Sequence, residues 1–174
     1  MIDFRTDILP LKNQLYRLAL RITLDSAEAE DIVQETLIKV WNKRDDWERI
    51  DNIEAFCLTV CRNLSLDSVK RQSHRNLSLD NTPADSPDNA STPSQQAIDN
   101  DQLDLVRHFV NQLPEKQRSC IQLRDFEGKS YKDIAAILSM TEEQVKVNIF
   151  RGRQAIKQRV ERMNNYQNKA ISST

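Results

Sequence analysis

Two glycines in 174 residues leave this chain few ways to turn tightly on itself. Hairpin turns, glycine-rich phosphate loops and closely packed sheets lean on residues without a Cβ. Helical periodicity takes their place. In "AEDIVQETLIKVW", Ala29, Ile32, Val33, Thr36, Leu37 and Val40 recur at helical spacing, so one face of that helix goes to a core. The expected class is all-α. Turned the other way at the same spacing are Asp31, Gln34, Glu35 and Ile38. Solvated faces usually mix charges of both signs, and this patch of acids, amide and isoleucine raises the question of what it touches; taken alone, a solvated helix with one stray isoleucine is the better account.

The remaining stripes fall into two groups. Leu11, Leu15, Leu18 and Ile22 give one helix before the stretch above, and Ile53, Phe56, Cys57, Val60 and Leu64 give one after it. Between Ser78 and Gln96 the chain has three prolines, many Ser, Asn and Asp, and almost no large apolar residue. Such a segment cannot bury enough surface to offset its ordering entropy, and it reads as a flexible linker. Beyond it, Leu103, Val106, Val110 and Leu113 form a stripe, Pro114 suits the first turn of the next helix, and Gly128 suits a left-handed stop. The expected division is residues 1–75, a linker at 76–100, a second module at 101–162 and a tail at 163–174.

Several classes are excluded early. The apolar runs are too short to span a bilayer, and the N-terminus lacks the basic start and apolar run of a signal peptide, so a cytoplasmic protein without membrane insertion is expected. Cys57, Cys61 and Cys120 are odd in number, and His74 and His108 lie at no ligand spacing from them. They read as buried reduced thiols, and no metal or cofactor is expected. No nucleophile or phosphate-binding constellation appears, so the chain does not read as an enzyme.

The net charge of −1 hides a sorted distribution. Asp80, Asp85, Asp88, Asp99, Asp101 and Asp104 lie in a run without a basic residue, whereas Lys146, Arg151, Arg153, Lys157, Arg159, Arg162 and Lys169 face only Glu161. The basic end coincides with a local motif. In "YKDIAAILSMTEEQVKVNIFRGR", Ser130 caps a short helix, Ser139 occupies the turn, and Thr141 with Gln144 makes a capping box that opens a longer helix. This is a helix-turn-helix pattern. Val145, Ile149, Gly152 and Ile156 turn inward, and Glu143, Lys146, Val147, Phe150, Arg151, Gln154 and Lys157 turn outward. Cations for phosphates beside polar and apolar tips for base edges suit a major groove.

The chain resembles the bacterial RNA polymerase sigma factors of the extracytoplasmic-function group. "DIVQETLIKVW" followed by "NIEAFCLTVCRNLSLDSVKR" is similar to their region two. "LPEKQRSCIQLRDFEGKSYKDIAAILSMTEEQVKVNIFRGRQAI" is similar to their region four. The resemblance implies that the protein binds core RNA polymerase and directs it to promoters, with Asp31, Gln34, Glu35 and Ile38 docking on the polymerase clamp helices. It places Trp47 and Asn52 in the loop that captures a flipped base of the minus-ten element, with Arg62, Asn63, Lys70 and Arg71 on the adjoining helix. Read by itself, a loop tryptophan such as Trp47 more often seals a small core. For the minus-thirty-five element the resemblance implies Glu143, Lys146, Val147, Phe150, Arg151 and Lys157, with Arg153 reaching a phosphate and Arg118 lying near DNA or the polymerase flap. Promoter DNA is then met both as duplex and as single strand, and an anti-sigma factor is an expected further partner. The competing reading is a one-component helix-turn-helix repressor or activator whose N-terminal helices dimerise or sense a ligand.

Overall fold

The computed structural model describes residues 1–78 and 97–172 and is helical, with no strand among those residues. The chain starts with a π-helical turn, Phe4–Ile8, capped by the Asp3 carboxylate on the amides of Arg5 and Thr6, and a 3-10 turn, Leu9–Leu11, that accommodates Pro10. Helix α1 (Lys12–Thr23) ends on Leu24 in the left-handed region at φ 57°, a conformation usually left to glycine. Helix α2 (Ser26–Asn42) is capped by Asp25, whose Oδ1 accepts from the Glu28 amide at 3.0 Å. A 3-10 segment, Arg44–Arg49, then leads to α3 (Ile53–Ser78), capped by Asn52.

The second group follows with α4 (Ala97–Asn111), α5 (Glu115–Ile121), a π-helical turn at Gln122–Phe126, α6 (Tyr131–Leu138) and α7 (Glu142–Ser172). Residues 79–96, the larger part of the expected linker, lie outside the described residues, while α3 and α4 reach into its two ends. The expected tail from residue 163 continues α7 up to Ser172, since neither glycine nor proline follows Gly152 to break it. Pro114 takes the cap position ahead of α5 with an extended ψ, one residue earlier than the sequence suggests.

Helices α1, α2 and α3 enclose Leu15, Leu18, Ile22, Ile32, Val33 and Leu58, all essentially buried. Burial of side chains this size contributes about 1.5–3 kcal/mol each. Thr36 joins them by turning its hydroxyl back onto the Ile32 carbonyl at 2.7 Å, which satisfies the polar group inside the core. Cys57, Cys61 and Cys120 are buried free thiols.

The core does not stop at the third helix. Cys120, Leu123, Ile134, Ile137, Leu138, Val145 and Ile149 of the second group belong to the same continuous apolar cluster, with α6 packed on α3 and α5 on α1. Only Val110, Leu113 and Ile121, with Val106, Phe126, Ala155 and Ile156 around them, form a separate cluster between α4, α5 and α7. Leu103, read as the first position of that stripe, is exposed.

Candidate polymerase and promoter surfaces

Helix α2 is placed by its buried side. Ala29, Ile32, Val33, Thr36 and Val40 are covered and Leu37 partly so, which turns Asp31, Gln34, Glu35 and Ile38 into solvent. Ile38 is 60% exposed. Glu35 meets Lys39 one turn on at 3.6 Å, an exposed pair of little energetic consequence. The apolar part of this face is larger than sequence reasoning found. Trp41, 45% exposed, joins Ile38, Leu37 and Phe4 around an apolar surface groove of about 300 Å³. Trp41 follows Ile38 at i+3, a spacing that could have revealed it; Phe4 arrives from a turn with no periodic signature.

The loop after α2 is built around Trp47. Its indole N–H donates to the Val40 carbonyl at 3.0 Å, its ring lies parallel to Phe4 at 6.4 Å, and it is 6% exposed. Trp41 stands edge-on to both rings, and the Arg44 guanidinium lies 5.1 Å from the Trp41 ring centre. The loop thus carries an aromatic cluster whose outer edge opens into a surface cavity of about 680 Å³, lined by Phe4, Trp41, Arg44, Trp47 and Glu48 among others. Trp47 takes part in both the core and the cavity wall. Asn52 is engaged as the cap of α3, its Oδ1 accepting from the Ala55 amide at 3.0 Å.

Along α3, Asn63, Lys70 and Arg71 are exposed, whereas Arg62 is half-buried and its Nε has no hydrogen-bond partner among the described residues. Arg71 shares a polar pocket of about 240 Å³ with Glu28, Ser68, Gln72 and Arg75, in which the Ser68 hydroxyl donates to Glu28 at 2.7 Å. Gln72 and Arg75 were not anticipated; Arg75 continues the Lys70–Arg71 basic end by one turn.

The helix-turn-helix forms as its local signals require. Ser130 accepts from the Asp133 amide at 3.1 Å, Ser139 adopts φ 53° at the turn, and Gly128 adopts φ 67° before it. Thr141 and Gln144 exchange the reciprocal bonds of a capping box at 3.1 and 3.0 Å. With Val145, Ile149 and Gly152 buried, α7 presents Glu143, Lys146, Val147, Phe150, Arg151 and Lys157 to solvent. Phe150 is 65% exposed, an uncovered phenylalanine beside the cations Lys146 and Arg151.

Two predicted cations have partners that the sequence did not announce. Arg153 forms a two-point ion pair with Asp125 of the π-helical turn, and that hydrogen bonding raises its pKa. Arg118 turns into the joint between the two groups of helices, where it donates to the carbonyls of Leu113 at 3.2 Å and Ile22 at 3.3 Å, and its buried Nε has no partner among the described residues.

Comparison with known proteins agrees with this layout. Residues 8–75 match the family model for sigma-70 region 2, and residues 103–156 match that for sigma-70 region 4. The chain is 34% identical over 135 residues to the ECF RNA polymerase sigma factor SigL of Mycobacterium tuberculosis, covering 76% of this chain and 74% of the relative. It is 28% identical over 160 residues to the RNA polymerase sigma-H factor of Pseudomonas aeruginosa, covering 86% of this chain and 83% of the relative. Among solved structures it resembles the sigma factor RpoE from Bartonella quintana, crystallised with the anti-sigma factor NepR, at a TM-score of 0.71 and 25% identity, covering 91% of this chain and 97% of that one. It shares its fold with CnrH, solved with the cytosolic domain of CnrY, at a TM-score of 0.62 and 17% identity, covering 91% of this chain and 87% of that one. Region two, region four and their order along the chain place this protein in the extracytoplasmic-function group of the sigma-70 family of RNA polymerase sigma factors.

Proposed function

We propose that the protein docks on core RNA polymerase through the outward face of α2, Asp31, Gln34, Glu35 and Ile38, and initiates transcription at a subset of promoters. The observation that carries this reading is that face itself: the fold covers the opposite side of α2 and leaves acceptors in solvent beside an apolar anchor. Such a face suits a basic helical partner with an apolar ridge. The minus-ten element is contacted by Asn63, Lys70 and Arg71, with Arg62 joining them, and its flipped base is received at the cavity beside Trp47, with Asn52 holding the start of α3. The minus-thirty-five element is read by Lys146, Val147, Phe150 and Arg151, with Glu143 and Lys157 at the edges. Arg118 and Arg153 reach backbone phosphates or the polymerase flap only on leaving their present partners. The polymerase supplies the catalysis, and the sigma factor works in the cytoplasm.

Control by an anti-sigma factor is part of this reading, supported by the RpoE structure, solved with the anti-sigma factor NepR. The test is run-off transcription by purified core polymerase on a genomic promoter library, with and without the protein. Defined starts that need the protein are expected, falling at least tenfold when Asp31, Gln34 and Glu35 are together replaced by Ala, since each lost charge-assisted bond costs about 1.5–3 kcal/mol. No specific starts, alongside tight duplex binding by the protein alone, would overturn it in favour of a one-component regulator.

A further inference from the structure

The first residues of the chain precede the stretch that matches region 2, which begins at residue 8, yet they build a wall of the cavity beside Trp47. Local bonds fix that wall. Asp3 Oδ1 accepts from the amides of Arg5 at 2.8 Å and Thr6 at 3.0 Å, and Asp7 Oδ2 accepts from the Asp3 amide at 2.7 Å. The turn holds Phe4 half-buried, edge-on to Trp41 at 5.3 Å and parallel to Trp47, and the three rings line the cavity together. Unpaired bases stack on aromatic side chains of this kind.

The cavity wall also carries charge. Asp45 and Glu48 line it, both exposed and without a hydrogen-bond or ion-pair partner among the described residues. Arg5 and Arg44 line it too and supply cations for a backbone phosphate. A carboxylate only accepts hydrogen bonds, so it holds an exocyclic amino group and repels a carbonyl oxygen at the same place. Thymine and uracil carry a carbonyl where cytosine carries an amine. We propose that Phe4 positions the unpaired minus-ten base from the N-terminal turn, and that Asp45 and Glu48 select a base with an exocyclic amino group over thymine. That an unpaired base enters this cavity rests on the function proposed above; the choice of an amino-bearing base rests on the cavity's own residues.

The chain's two tryptophans, Trp41 and Trp47, both line this cavity, so intrinsic fluorescence reads its occupancy without polymerase. The full chain is titrated at low salt with short single strands of deoxycytidine and of deoxyuridine. The cytidine strand is expected to quench at a roughly tenfold lower concentration. Asp45→Asn with Glu48→Gln should bring the two strands within about twofold of each other. Phe4→Leu, which keeps an apolar side chain against Trp47, should weaken the cytidine strand about tenfold, and Phe4→Tyr should restore it, with circular dichroism verifying the fold. No quenching, equal quenching by both strands, or a preference that survives the double variant would overturn the selection. Phe4→Leu equal to wild type, or a loss that Phe4→Tyr does not recover, would overturn the positioning. Run-off transcription separates this from the proposed function. Selective quenching without protein-dependent starts would sink that function and keep the base selection, whereas starts without selective quenching would do the reverse.

Discussion

Region two and region four are both helical, yet they reach stability differently. Region two wraps Leu15, Leu18, Ile22, Ile32, Val33 and Leu58 within its own three helices. Among the described residues, region four keeps Val110, Leu113 and Ile121 in a cluster apart, and its other buried apolar side chains join the core of region two. Its outline is instead set locally, by Ser130, Thr141 with Gln144, and left-handed Gly128 and Ser139. The difference teaches that region four has a well-defined local shape but a borrowed interior.

Thiol chemistry gives the largest expected contrast. Burial pushes Cys57, Cys61 and Cys120 each up to about 12. At pH 8 the native thiols should react with an alkylating reagent roughly a thousandfold more slowly than unfolded ones. In a denaturant series Cys120 of region four should become reactive before Cys57 and Cys61; simultaneous exposure would break the contrast. The sign with pH follows. The folded state keeps these protons to higher pH than the unfolded chain, so their contribution is fully present below the unfolded value near 9 and is lost as pH rises toward about 12.

Leu18→Ala, wholly inside region two, should cost about 2–5 kcal/mol and lower the urea midpoint for both regions, because region four leans on that core. Separate transitions, with region four unaffected, would show the shared core to be unimportant. Gly152→Val acts on region four alone. A Cβ there would clash with Ile121 Cδ1, so the larger side chain should cost about 1–3 kcal/mol and weaken promoter binding while polymerase capture persists. Thr141→Ala should cost about 1 kcal/mol by removing half of the capping box, read as a small loss of thermal stability. The smallest effect belongs to Arg17→Gln, where the two regions meet. Its partner Glu127 is covered but Arg17 is half-exposed, so a loss of under about 1 kcal/mol that shrinks further in high salt is expected.

The recognition of two helical groups, the capping box, the turn residues and the outward faces of α2 and α7 were legible in the sequence. They depend on residues within one or two turns of each other, where 3.6-residue periodicity and backbone capping dominate. Trp47 was legible only as a choice between core and pocket, and the arrival of Phe4 from the N-terminal turn is what seats it in both.

By itself, then, the sequence determined that the chain is helical, where the helix-turn-helix lies, and which side chains α2 and α7 turn to solvent. Tertiary structure alone decided that Arg118 and Arg153 are engaged by Ile22 and Asp125, that both regions share one core, and that Arg21 meets Gln122 across 101 residues of chain. The physical reason is range. Helix formation is set by neighbours along the chain, whereas the fate of a long cationic side chain depends on which distant surface excludes water around it and which acceptors that surface supplies.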